Sequence, residues 1–174
     1  MMTNEYIQLA IERGIITDAS AATPYLFNMI TAETYSRIQA EKALMALDPS
    51  LKIRNVDQWH IYDLHFKSGE TKTQVIVEAK ARNFNSDKYS TVALSAPKYD
   101  NLLEKREETG FDGEIWYVST YVDGVAYIFD LVNTPVNRSR WKCHATTARP
   151  TKKIKDEECV EFPVDKAKYV VHYA

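Results

Sequence analysis

The stretch Val75-Ile76-Val77-Glu78-Ala79-Lys80 decides the reading of this chain. Three β-branched residues in a row suit a buried strand. A glutamate and a lysine follow, two residues apart. Side chains alternate along a strand, so Glu78 and Lys80 share one face. The flanks make this strand half of a hairpin. Residues 59–66, WHIYDLHF, are aromatic and β-branched, and KSGET turns the chain before it returns over 73–80. The returning strand is apolar on both faces, which places it centrally in a sheet covered by helices. Asp63 reads as mid-strand in the first arm, facing Glu78 and Lys80 across the ladder. Two carboxylates then converge, with an ammonium beside them.

That donor set suits a hard divalent cation. Mg²⁺ takes oxygen ligands, keeps several waters, and often needs only one or two protein carboxylates plus substrate phosphate. A bound ion polarises a phosphate and generates hydroxide. A nearby lysine orients the attacking water or offsets charge developing on the phosphate. A Glu-x-Lys pair alone is cheap: Glu70-Thr71-Lys72 is another, with no apolar strand behind it. The plain alternative is a surface salt bridge at a strand end, worth little. What counts against it is the combination of apolar strand, Glu-x-Lys, short hairpin and opposing aspartate.

At these residues the chain resembles the PD-(D/E)XK nuclease superfamily, which has the restriction-endonuclease-like fold. The family's aspartate on one strand and acid-x-Lys on the next fall on Asp63, Glu78 and Lys80. Tyr62 stands where the motif's name has proline. The resemblance implies a metal held by Asp63, Glu78 and the backbone carbonyl of Ala79, with Lys80 assisting the water. It also implies a glutamate on the preceding helix, which falls on Glu41 in YSRIQAEKALMAL. The implied cofactor is Mg²⁺, with Mn²⁺ as a substitute, and the implied partner is nucleic acid, DNA in the first place. The similarity spans roughly residues 31–131.

The composition agrees with a globular α/β domain. The 174 residues are 45% hydrophobic and 26% charged, enough for one core. The net charge of -2 means that any nucleic-acid contact must come from a local patch. One such patch is NRSRWKCHATTARPTKKIK, with Arg138, Arg140, Lys142, Arg149, Lys152, Lys153 and Lys155, and with Trp141 interleaved for stacking. Its alternative is a solvated loop balanced by Asp156-Glu157-Glu158. Arg82 after the motif and Lys98 at the next helix start are further candidates for the phosphate backbone, so that set is Arg82, Lys98, Arg138, Arg140 and Lys142. His65 shares the face of Asp63 and reads as an ordinary strand histidine.

Along the chain, a helix is expected over 3–13, ending at Gly14. A second runs from Thr31 to Pro49, with Ile38, Leu44, Met45 and Leu47 on its apolar side. A third opens at Ser95-Ala96-Pro97 and stops at Gly110. Two strands, GEIWYVSTY and GVAYIFDLV, hinge at Asp123-Gly124. The segment 82–91 reads as a polar loop. Residues 132–174 read as an irregular basic segment ending in one strand, AKYVVHY. The expectation is a single α/β domain over 1–174, a restriction-endonuclease-like mixed central β-sheet flanked by helices.

Cys143 and Cys159 are far apart, which argues against a disulfide scaffold and for a reducing, cytoplasmic compartment. No signal peptide and no membrane-spanning run is legible. Three function classes stay open: a Mg²⁺-dependent nuclease, a catalytically inactive nuclease-fold module binding nucleic acid or a protein, and a structural protein whose carboxylates serve salt bridges. One site per chain would suit a homodimer for cutting two strands.

Overall fold

The computed structural model describes residues 3–24, 26–69, 71–143 and 155–174. Strand β3 (Gln74–Ala81) lies at its centre. Val75, Val77 and Ala79 are buried on one face, against Ala40, Ala43 and Leu44 of helix α2 (Phe27–Leu47). The two alanines let the helix lie close to the strand. On the other face, Ile76 packs with Leu102, Ile115 and Tyr117. The strand is therefore covered on both sides, as its apolar run requires.

The large sheet has the order β1 (Arg54–Asn55), β2 (Leu64–Lys67), β3, β5 (Glu114–Thr120), β6 (Val125–Asp130), β9 (Tyr169–His172). β3 and β5 run parallel, and the other neighbours are antiparallel. A parallel pair needs a crossover. Here it carries β4 (Thr91–Ser95) and α3 (Ala96–Thr109). Pro97 sits in the first turn of α3. Gly110, at φ 65, ends it and donates to the carbonyls of Arg106 and Glu107. The first helix, α1 (Thr3–Glu12), packs on α2. The mixed sheet and its helices are the fold class the sequence implied. Among the described residues, no helix is long and apolar enough to cross a membrane.

Several expectations need correction. The described residues after 136 are not irregular: β7 (Asn137–Cys143) and β8 (Lys155–Pro163) join β4 in a second sheet of order β4-β8-β7. Val160 and Phe162 of β8 are fully buried, and Phe162 packs on Tyr99, Tyr117 and Phe129. This sheet and α3 together cover the Ile76 face. The segment WHIYDLHF is mostly turn. Asp57 accepts from the N–H of Trp59 (2.9 Å), and β2 begins only at Leu64. Asp63 therefore stands at the mouth of the strand rather than in its middle. Helix α2 begins at Phe27, four residues before Thr31. Met45, placed on its apolar side, is 51% exposed.

Candidate active site

Glu78 and Lys80 lie on the same face of β3 as Ile76, looking away from α2. The ladder puts Glu78 beside Tyr117 and Lys80 beside Ser119. Asp63 reaches the same place from the start of β2. Its N–H donates to the Val77 carbonyl (2.8 Å), and its Oδ2 accepts from the Ala79 N–H (2.8 Å). Its Oδ1 lies 3.2 Å from Nη2 of Arg37. That arginine, on α2, is only 1% exposed and also donates to the Val56 carbonyl. A second stitch ties helix to strand: Ser36 Oγ accepts from the Ala81 N–H (3.1 Å).

Glu78 has a different environment. Its side chain is 13% exposed, and Lys98 Nζ, from the first turn of α3, lies 3.0 Å from Oε2. Oε2 is buried, and this ammonium is the partner it has. Burial, and next the charge of Asp63, push the Glu78 carboxyl up to about 8, against the pull of Lys98 and Lys80.

A third carboxyl belongs to the same cluster. Glu33, on α2, is raised by burial first and by Asp63 second, with Arg37, Lys98 and Lys80 opposing. A cleft of about 600 Å³ holds Glu33, Asp63, Glu78, Lys80, Arg82 and Lys98. Three carboxyls thus face the cations Arg37, Lys80 and Lys98. The far wall of the cleft is aromatic, with Phe84, Tyr89 and Trp141.

Glu41 does not reach this cleft. It lies near Arg13 (3.5 Å) and accepts from Asn55 Nδ2 (2.6 Å), on the side of α1 and β1. Eight residues along a helix are about 12 Å, which separates it from Glu33. The sequence reading missed Glu33 because a helix starting at Thr31 makes it a first-turn acid that complements the dipole. Starting from Phe27, it falls in the second turn, over the charged end of β3. The available signal was the spacing of Glu33 and Arg37, four apart and so on one face.

The nucleic-acid candidates divide. Lys98 is in the cleft, at Glu78. Arg82 also lines it, but Nη2 donates to the Ala93 carbonyl and to the Tyr117 hydroxyl (2.6 Å), bracing β3 to β4. Arg138 is outside the cleft, held by both oxygens of Asp100 (2.5 and 3.1 Å) and by Glu158 (3.0 Å). Arg140 is exposed and pairs with Glu158 in the β7–β8 ladder. The Lys142 side chain lies outside the described residues, as do Arg149, Lys152 and Lys153. Where it is described, the basic run is matched by the acidic run across the ladder, with Lys142 opposite Asp156.

Does this donor set fit a divalent cation? Among the described residues, no group of three or more His, Cys, Asp or Glu is placed to hold a metal. Two carboxylates and a carbonyl are nonetheless the kind of oxygen set Mg²⁺ uses. Burial and the neighbouring Asp63 both make ionisation of Glu78 harder, and Lys98 offsets this only in part. A cation would relieve both. The Ala79 N–H points to Asp63, and the N–H and C=O of one residue project to the same side of a strand. The Ala79 carbonyl therefore faces Asp63, just before β2 begins.

No protein-family model matches the chain, and no curated protein matches it. Among solved structures, Hjc of Archaeoglobus fulgidus, a Holliday junction resolvase from an archaeal hyperthermophile, is similar to it. The likeness covers 70% of this chain and 80% of that one, at a TM-score of 0.38 and 12% identity. At that distance the functional reading rests on the site itself.

Proposed function

We propose that this chain is a metal-dependent nuclease that hydrolyses phosphodiester bonds in DNA, with Mg²⁺ as cofactor and Mn²⁺ as a substitute. The observation that carries the reading is Glu78. A carboxyl buried beside a second carboxyl, and pushed up to about 8 despite the lysine at 3.0 Å, is costly for a fold to keep ionised. Cation binding gives a reason to keep two carboxyls so close. Asp63, Glu78 and the Ala79 carbonyl would hold the ion. When bound, it would supply Lewis-acid activation of the phosphate and of its attacking water.

The chain's own groups do the rest. Arg37 and the Ala79 N–H fix Asp63. Lys80, exposed on the Glu78 face, orients the water and offsets developing negative charge. Lys98, at the mouth of the same cleft, would contact a phosphate oxygen of the substrate. Glu33, not Glu41, is the helix carboxyl of the site, and burial favours its protonated form.

The test is cleavage of mixed substrates, single-stranded, duplex and branched DNA and RNA, with Mg²⁺ or Mn²⁺. Wild type is compared with Lys80→Ala and Glu78→Ala. Metal-dependent cleavage that falls by at least about 10²-fold in both variants is expected. No cleavage of any substrate, together with no metal binding by calorimetry, would refute the proposal. One observation favours a second reading, a nuclease-fold module that binds nucleic acid or a protein without turnover: both carboxylates already have a cation within the protein, Arg37 for Asp63 and Lys98 for Glu78. Tight binding of substrate that is indifferent to metal and to Glu78→Ala would select it.

A further inference from the structure

We propose that a second cavity, beside the charged cleft, takes an unpaired nucleobase of the nucleotide next to the phosphate under attack. The proposal rests on the nuclease reading above. The cavity has a volume of about 600 Å³ and lies between the turn at 57–62 and the far half of α3. Trp59, Tyr62, Ile76, Leu102, Arg106 and Phe111 line it. Flat aromatic walls over an aliphatic floor, with a guanidinium at one side, suit a heteroaromatic ring carrying a phosphate.

Trp59 makes the first argument. It is 75% exposed, more than any other large hydrophobic side chain among the described residues. Leaving an indole in water is unfavourable. It is also presented by a braced turn rather than a loose loop. Asp57 Oδ1 accepts from the Trp59 N–H (2.9 Å), the Asp57 carbonyl accepts from the His60 N–H (3.2 Å), and Asp57 Oδ2 lies 2.8 Å from His60 Nδ1. A rigid aromatic loses little conformational entropy when a ring stacks on it. Arg106 makes the second argument: it lines the cavity and is partly exposed, so its guanidinium offers a cation at the cavity wall. The neighbouring Lys105 is already paired with Glu108 (3.0 Å).

Continuity identifies the occupant. Ile76, in the cavity, precedes Glu78 by two residues on the same face of β3, about 7 Å away. Tyr62 adjoins Asp63. Helix α3 holds Lys98 at Glu78 and, two turns on, Arg106 at the cavity, roughly 12 Å along its axis. A strand whose phosphate lies at Lys98 and Glu78 therefore has its neighbouring base over Ile76 and its next phosphate near Arg106. A space of this size has the scale of a small-ligand site and not of a stacked duplex, so the base enters out of its stack.

The experiment uses the full chain with Lys80→Ala as background, so that the substrate survives. Binding of a short single-stranded DNA oligonucleotide and of a blunt duplex of the same sequence is measured by fluorescence anisotropy, with and without Trp59→Ala or Arg106→Gln. Tryptophan emission is followed in parallel. Trp59→Ala should weaken single-strand binding roughly 5- to 150-fold, as for loss of one stacked base. Duplex binding should change less than 2-fold, and the oligonucleotide-induced quenching should lose the share that Trp59 contributes, leaving that of Trp141 in the cleft. Single-strand affinity and quenching equal to the parent in both variants would overturn the proposal while leaving cleavage by the wild type to stand. Quenching that depends on Trp59 in a protein that cleaves nothing would uphold the cavity and refute the nuclease. An equal loss on single strand and duplex would also overturn it, since the base need not then be unpaired. So would quenching by apolar peptides but not by oligonucleotides, which would assign the cavity to a protein partner.

Discussion

Replacing Glu78 by glutamine should make the fold more stable at neutral pH, and the gain should grow with pH. In an unfolded chain a glutamate titrates near 4.5, and in the fold Glu78 is pushed up to about 8. Between these values the folded protein keeps a proton that the unfolded chain has released. Stability therefore falls as pH rises through that window and is flat outside it. Each pH unit is worth about 1.4 kcal/mol. The side chain is only 13% exposed, so solvent screening removes little, and the total approaches about 5 kcal/mol above pH 8. For a chain of this size that is on the order of 10 °C in Tm. Thermal unfolding from pH 4 to 9, in chelator, of wild type and Glu78→Gln is the assay. The two curves should meet near pH 4.5 and separate steadily up to pH 8. Adding Mg²⁺ should stabilise the wild type at pH 8 far more than at pH 5, because ion and proton compete for the same oxygens. Parallel curves at every pH would refute the reasoning, for they would mean that Glu78 ionises freely in the fold.

Four further outcomes are expected. Glu33→Gln should lower metal-dependent cleavage on the order of 10²-fold. Glu41→Gln should leave cleavage intact and change stability by less than about 1 kcal/mol in a melt, since it only weakens its ties to Arg13 and Asn55. Arg37→Met should destabilise the fold by roughly 3–5 kcal/mol in denaturant titration, because it strands the largely enclosed Asp63 carboxylate and the Val56 carbonyl. Gly113→Ala should cost about 1–3 kcal/mol by the same titration: an added Cβ would lie 2.3 Å from the Gln74 carbonyl oxygen, a backbone atom that cannot swing aside.

The sequence showed the fold where its signals are local. Val75-Ile76-Val77 made β3 central, Pro97 and Gly110 bounded α3 to within a residue, and Asp123-Gly124, with Gly124 at φ 74, turned β5 into β6. It misled where a residue's meaning depends on distant partners. Arg140, Lys142 and the run Asp156-Glu157-Glu158 look like solvated loop until each strand is set against the other, and then they form the β7–β8 ladder. The start of α2 carries no side-chain cap on Leu26, so Thr31 attracted the boundary, and with it went Glu33. Trp59 through Tyr62 have strand-forming side chains, but Asp57 captures the backbone N–H of Trp59 and makes a turn. Arg37 was unreadable, since nothing in TYSRIQ tells a buried guanidinium from an exposed one.

That hidden second sheet also sets the chemistry of the legible motif. Glu78 and Lys80 would be wet at the end of an open sheet, and an exposed glutamate near an ammonium has no reason to hold its proton. What dries Glu78 is the cover over the Ile76 face, and that cover is positioned from the small sheet. Leu94 and Ser95 of β4 pair with Val160 and Cys159 of β8. The Ala93 carbonyl is gripped by Arg82 and by the Tyr117 hydroxyl (3.0 Å). Directly after Ser95 the chain enters α3, so the same anchorage that covers the site fixes Lys98 against Glu78. The Glu-x-Lys spacing thus supplies the groups, while strands more than sixty residues further along the chain decide that one carboxyl is dehydrated and paired with a lysine, and its neighbour Asp63 is held by a buried arginine.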